Sequence, residues 1–117
     1  MKNSASDVRS ETVTIDTLDN YCAGNAIAGI YLLKIDTEGY EIEVLEGARQ
    51  NLGVGSIGAV FCEVGFSSKN RRNTPLHAVT ENLMEQGYFF YGLYDVTHYE
   101  NRAMGESFGN ALFVRQA

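Results

Sequence analysis

The sequence has little positive charge. Nine Lys and Arg stand against 15 Asp and Glu, for a formal charge of −6 and a pI near 4.8. Nucleic acid or an anionic membrane needs a basic face, so neither is expected as the main partner. The one basic cluster, Lys69, Arg71 and Arg72, lies in a polar stretch and reads as a solvated loop. Cysteine is scarce as well. Cys22 and Cys62 sit in apolar patterns, without CxxC or Cys/His spacing, so neither a disulfide framework nor a zinc site is expected. Buried free thiols in a reducing cytoplasm are the expectation. No apolar run reaches the roughly 20 residues of a membrane helix. The opening, MKNSASDVRSE, has no apolar signal-peptide core. There is a single proline, and no repeat, low-complexity tract or linker.

What is present is enough for one domain: 117 residues, 44% of them hydrophobic. Residues 1–10 read as a polar tail and residues 11–117 as a single α/β domain. Glu11–Ile15 (ETVTI) alternates and is β-branched, which predicts a short strand. TLDNYCAG predicts a short helix with Leu18, Tyr21 and Cys22 on one face and Gly24 as its stop. Ile30–Ile35 (IYLLKI) is almost continuously apolar, as in a strand buried on both faces of a parallel sheet. From Tyr40 the period changes. Val44, Leu45, Ala48 and Leu52 repeat every three or four residues, with Glu41, Glu43 and Glu46 at polar positions, and Gly53 or Gly55 ends the helix. Ile57–Val64 is a second apolar strand, which completes a right-handed βαβ unit. Thr74 and Pro75 predict the N-cap and first residue of a helix whose inner stripe is Leu76, Val79, Leu83 and Met84. Tyr88–Tyr94 and Asn110–Arg115 are two further strands with no helix between them, so they should pair antiparallel. The aromatic stripe Phe89, Tyr91 and Tyr94 is expected in the core. The fold class is thus α/β, with parallel strands inside and an antiparallel pair at one edge.

In open parallel sheets, ligands bind beyond the carboxyl ends of the strands. Asp36 and Glu38 follow the first central strand directly, and Glu63 lies near the same end of the second. Three carboxylates would then line one crevice, with Gly39 allowing a sharp turn. The plain alternative is that Asp36 and Glu38 only cap the following helix, an effect of about 0.3–1 kcal/mol. A further alternative is a divalent-metal site on Asp36, Glu38 and Glu63, since hard oxygen ligands suit magnesium, calcium or manganese. Neither His77 nor His98 stands near enough in sequence to complete a metal triad. His77 reads as a surface residue, and His98 as a weak candidate for substrate contact.

Five blocks, in this order, carry a resemblance: TIDTLDNYC, LLKIDTEGYEIEVLEGA, AVFCEV, GYFFYGLYD and NALFV, from about Thr14 to Val114. Together they resemble the C-terminal half of FkbM-type methyltransferases. The TLD and KIDxEGxExxVLxGA blocks are the specific ones. The resemblance implies S-adenosylmethionine as cofactor and methyl transfer to a sugar or polyketide hydroxyl. It also implies the Rossmann-like class I sheet, with strand order 3-2-1-4-5-7-6. Residues 30–35 would be strand four, 57–64 strand five, 88–94 strand six, 110–115 strand seven and Glu11–Ile15 strand three. On that analogy Asp36 stands beside cofactor and acceptor, and Asp36, Glu38 and Glu63 are the expected catalytic residues. Lys34 belongs to the same block.

One part of the pattern is missing. Class I methyltransferases hold the cofactor on a glycine-rich turn after strand one and on an acidic residue after strand two. No G-x-G precedes Ile30, and residues 1–29 are too few for two strands and two helices. The sequence reads as half an enzyme, inactive alone, or as a non-catalytic binding or assembly module derived from that fold. Without strand one, residues 30–35 become a sheet edge, and such edges template association. A homodimer through strand 30–35, or a swapped N-terminal strand, is the expected consequence.

Overall fold

The computed structural model describes residues 9–67, 70–98 and 107–116. Thr17 starts the first helix, α1 (Leu18–Gly24), by accepting the Asn20 N–H on its hydroxyl at 3.1 Å. Leu18 packs toward the core and Cys22 is buried, whereas Tyr21 is exposed. The stretch before it, Glu11–Ile15, forms no strand and is exposed throughout. Strand propensity largely reflects packing on neighbours, and no described strand lies beside these residues.

β1 (Ile30–Ile35) and β2 (Ile57–Gly65) pair in parallel, from Ile30↔Ile57 to Ile35↔Cys62. The crossover between them is two short helices, α2 (Glu41–Glu46) and α3 (Arg49–Gly53), where one continuous helix was expected. Asp19 of α1 explains the break. Its carboxylate accepts the backbone N–H of Gln50 at 2.8 Å, that of Asn51 at 3.0 Å and the Asn51 side-chain amide at 2.6 Å. It therefore caps α3 from another helix, while the Asp19 N–H donates to the Gly47 carbonyl at 2.9 Å. A Cβ on Gly47 would stand 3.2 Å from Cβ of Thr17, so glycine is what lets α1 come this close.

α4 (Leu76–Met84) leads into β3 (Tyr88–Thr97), which runs antiparallel to β4 (Phe108–Arg115). β4 also pairs antiparallel with β2, and the sheet order is β1-β2-β4-β3. The fold is α/β with a four-stranded mixed sheet. The N-cap position of α4 is Pro75, without a side-chain cap; Thr74 bonds elsewhere, as described below. Met84 is half exposed and leaves Val79 and Leu83 as the buried stripe.

The register assigns side chains to two faces. Ile35, Val60, Cys62, Val64, Ala111 and Phe113 share one face and are buried against Leu45, Ala48, Leu52, Val79 and Leu83 of the helices. Leu32, Phe61, Leu112, Val114 and Phe89 share the other, with Tyr94. There Leu32 and Tyr94 are exposed and the rest half-buried, and no described helix packs on it. β1 was expected to be buried on both faces. It is the edge strand that the missing strand one implied, with Tyr31 97% and Leu32 53% exposed. The aromatic stripe is likewise not core: Tyr91 and Tyr94 are exposed and Phe89 is half-buried. Phe89 and Tyr94 lie on the face that no described helix covers, and Tyr91 falls at the register shift between Phe90 and Gly92.

Candidate active site

β1 delivers the chain into a turn, Asp36 to Tyr40, at the carboxyl end of the sheet. The turn is tight. Glu38 has φ +53°, a left-handed conformation that non-glycine residues seldom adopt, and Gly39 has φ +114°. A Cβ on Gly39 would come 3.1 Å from the Arg72 carbonyl oxygen.

What holds this turn is Glu41, expected on the outer face of the helix and in fact fully buried. Its carboxylate accepts the Thr37 N–H at 3.0 Å, the Gly39 N–H at 3.1 Å and the Thr74 hydroxyl at 2.6 Å. Burial alone would push the Glu41 carboxyl up. The bonds from Thr74 and Thr37 outweigh it, and the net shift is downward. The same carboxylate, with burial as the larger cause, pushes the Cys62 thiol up to about 12. Cys22 and Cys62 are both free and buried, as expected, and Cys62 stays a neutral thiol.

The capping alternative for Asp36 and Glu38 is therefore overturned. The residue at the N-cap of α2 is Tyr40, without a side-chain cap, and Glu41 has taken the free amides of the turn. Asp36 and Glu38 are exposed, and among the described residues neither takes a side-chain hydrogen bond. They face water at the end of β1.

Glu63 is presented differently. It is half-buried on β2, and one carboxylate oxygen accepts the Asn73 side-chain amide at 2.6 Å. Asn73 is fixed by Asn70, whose side-chain oxygen accepts the N–H of Asn73 at 2.9 Å and of Arg72 at 3.0 Å. The Asn70 amide donates to Asn73 Oδ1 and to the Ser107 carbonyl, both at 3.1 Å. The loops after β1 and after β2 and the start of β4 are thus tied into one plate by buried polar side chains.

The sheet brings Asp36 and Glu63 to the same end: they are the next residues after the pair Ile35↔Cys62. Glu38 lies further along the turn. The three do not converge on a metal position. Among the described residues no group of three or more His, Cys, Asp or Glu side chains could hold an ion, and the metal alternative falls with that. Lys34 is exposed and registers with Phe61 on the open sheet face. His77 is exposed on α4, beside a cleft of about 700 Å³ lined by Phe66, Pro75 and Leu76 among others. His98 is also exposed, with Nδ1 2.7 Å from the Ser107 hydroxyl. Arg71 and Arg72 are exposed, and Lys69 lies outside the described residues.

The family profile of the methyltransferase FkbM domain matches residues 2–90. The chain belongs to the FkbM methyltransferase domain family. No curated protein and no solved structure matches it significantly. The two blocks that carry the FkbM resemblance turn out to be neighbours in space. Thr17 and Asp19 of TLD meet Gly47 of the VLEGA segment and the start of α3 just after it. Glu41 of the same long block locks the turn that presents Asp36 and Glu38. Sequence reasoning missed Glu41, Thr74, Asn70 and Asn73. For Glu41 a signal existed: a carboxylate in the first turn of a helix, two residues after a glycine that must turn sharply.

Proposed function

We propose that this chain is the acceptor-side half of an S-adenosylmethionine-dependent O-methyltransferase and does not transfer methyl groups unaided. The observation that carries the reading is the plate at the carboxyl end of β1 and β2, which presents Asp36, Glu38 and Glu63 on a sheet ordered β1-β2-β4-β3. That order is the one expected for strands four, five, seven and six of the class I fold.

The cofactor has an α-carboxylate, which needs N–H donors or a cation. After β1 the turn amides of Thr37 and Gly39 are already taken by Glu41, and the exposed groups, Asp36 and Glu38, are acceptors. These residues suit the ammonium or a sugar hydroxyl and do not form a site for the whole molecule. The remaining donors must come from a glycine-rich turn after strand one; no G-x-G precedes Ile30, and Gly53, Gly55 and Gly58 lie at the passage from α3 to β2 and not after a strand. Bound there, the cofactor would supply the electrophilic methyl group. On this side, Asp36 takes the proton of the acceptor hydroxyl, because a hydroxyl is a poor nucleophile until its proton is removed. Glu63, immobilised by Asn73, and Glu38 accept hydrogen bonds from the acceptor's other hydroxyls.

The test joins this chain to the cofactor-binding half of a family member and follows transfer of labelled methyl to sugar and polyketide alcohols. Asp36→Ala should cut turnover by about 10²-fold or more, the usual range for a general base. Unaltered turnover removes Asp36 from the mechanism. The taken amides also favour a second reading, a non-catalytic assembly module; a joined protein that binds the cofactor yet methylates nothing would select it.

A further inference from the structure

We infer that Asn110 and Tyr94 complete the acceptor site as its specificity-determining residues, and that they read a polyhydroxylated ring, a glycoside, in preference to an apolar alcohol. The inference deepens the methyltransferase reading and rests on it for the acceptor's role; the binding itself needs no methyl transfer.

The sheet register carries the argument. Glu63 of β2 stands opposite Asn110 of β4, and Asn110 stands opposite Tyr94 of β3. Asp36 continues β1 beside Glu63, one residue past the pair Ile35↔Cys62. Residues opposite each other on paired strands share a face. Asp36, Glu63, Asn110 and Tyr94 thus form one row across the whole sheet, on the face that no described helix covers. Neighbouring strands lie about 4.8 Å apart, so the row is about 14 Å long.

Its hydrogen-bonding groups are open to a ligand. Asp36 is exposed and takes no side-chain hydrogen bond among the described residues. Glu63 holds one bond, from Asn73. Asn110 is half-buried, and its side-chain amide has no partner among the described residues. The carboxylates only accept, whereas the Asn110 amide both donates and accepts. A run of hydroxyls, each donor and acceptor, satisfies such a row. An alkyl body laid on it would strip the same groups of water and return nothing. Sites built to bond hydroxyls reject analogues without them for this reason.

Behind the row lies an aromatic pair. Phe61, two residues before Glu63 on the same face, has its ring centroid 6.3 Å from that of Tyr94, with the planes at 42°. Tyr94 lies back across Gly92, where a Cβ would come 3.1 Å from its hydroxyl oxygen. A sugar ring carries hydroxyls around its edge and C–H groups on its faces. The edge fits the polar row, and a C–H face fits the negative faces of the two rings.

Nitrogen–proton correlation spectra of the chain itself, without cofactor, test the inference. The probes are the methyl glycosides of glucose, galactose, mannose and rhamnose, with cyclohexanol as the apolar control. A glycoside should shift the Asn110 side-chain amide and the Tyr94 backbone amide saturably, in the millimolar range of so small a ligand. Cyclohexanol should not. Asn110→Ala and Tyr94→Ala should each weaken that binding by about tenfold, the upper range for one lost hydrogen bond. Asn110→Asp keeps the shape and removes the donor, so it should weaken binding in a chain that still folds. No shift with any glycoside, equal shifts with cyclohexanol, or full affinity in the variants overturns the proposal. Glycoside binding here, with no transfer by the joined protein, would uphold this site and count against the enzyme. Transfer by the joined protein that is indifferent to Asn110 and Tyr94 would overturn this site and leave the enzyme standing.

Discussion

A carboxylate out of reach of water must find donors, and Glu41 finds three: two backbone amides and one hydroxyl. Charge-assisted bonds of this kind are stronger than neutral ones. Glu41→Gln keeps the shape but leaves one amide facing donors, and should cost about 2–3 kcal/mol at pH 7, read from denaturant unfolding. The pH dependence has a definite sign. The folded pKa of Glu41 is below its ordinary value, so its stabilisation is present above the unfolded pKa and is lost as pH falls through the folded one. The gap between wild type and Glu41→Gln should therefore close on acidification below about pH 4. A gap that persists unchanged would show that Glu41 acts by packing and not as a carboxylate. At this scale the sequence was only half legible. Asp36, Glu38 and Glu63 could be placed at strand ends because apolar runs stop there. For Glu41 the helical pattern, which assigns it to the surface, outweighed the signal of the glycine two residues before it, and its burial depends on Thr74, 33 residues away.

Among the elements, α1, α4 and the four strands were readable from periodicity, and so was the parallel pairing of β1 with β2. Two features were not. The split between α2 and α3 follows from Asp19, whose capping of Gln50 and Asn51 is a contact no local pattern predicts. The absent strand at Glu11–Ile15 shows the reverse: a good local pattern with nothing to pair against. Asp19→Ala should destabilise the fold by about 1–2 kcal/mol, the range of a lost N-cap. The loss should fall on α3 first, seen as faster exchange of the Gln50 and Asn51 amides. Equal protection in both proteins would mean that the helix break has another cause.

For the whole molecule, the sheet is finished on one face and unfinished on the other. Helices bury Val60, Cys62, Val64, Ala111 and Phe113, while Leu32, Phe61, Leu112 and Tyr94 have no described layer over them. An apolar run in sequence, such as IYLLKI, cannot reveal this difference, because it looks the same whether a strand is central or at an edge. Membership of the FkbM family explains what such a sheet belongs to, and the turn amides held by Glu41 are the ground for proposing that part of the cofactor site lies elsewhere. If this chain carries the acceptor side and not the cofactor cradle, titration calorimetry of the purified chain with S-adenosylmethionine, taken to millimolar ligand, should give no saturable heat. A saturating isotherm with a defined stoichiometry would mean the opposite: that the chain holds the cofactor without the glycine-rich turn of strand one.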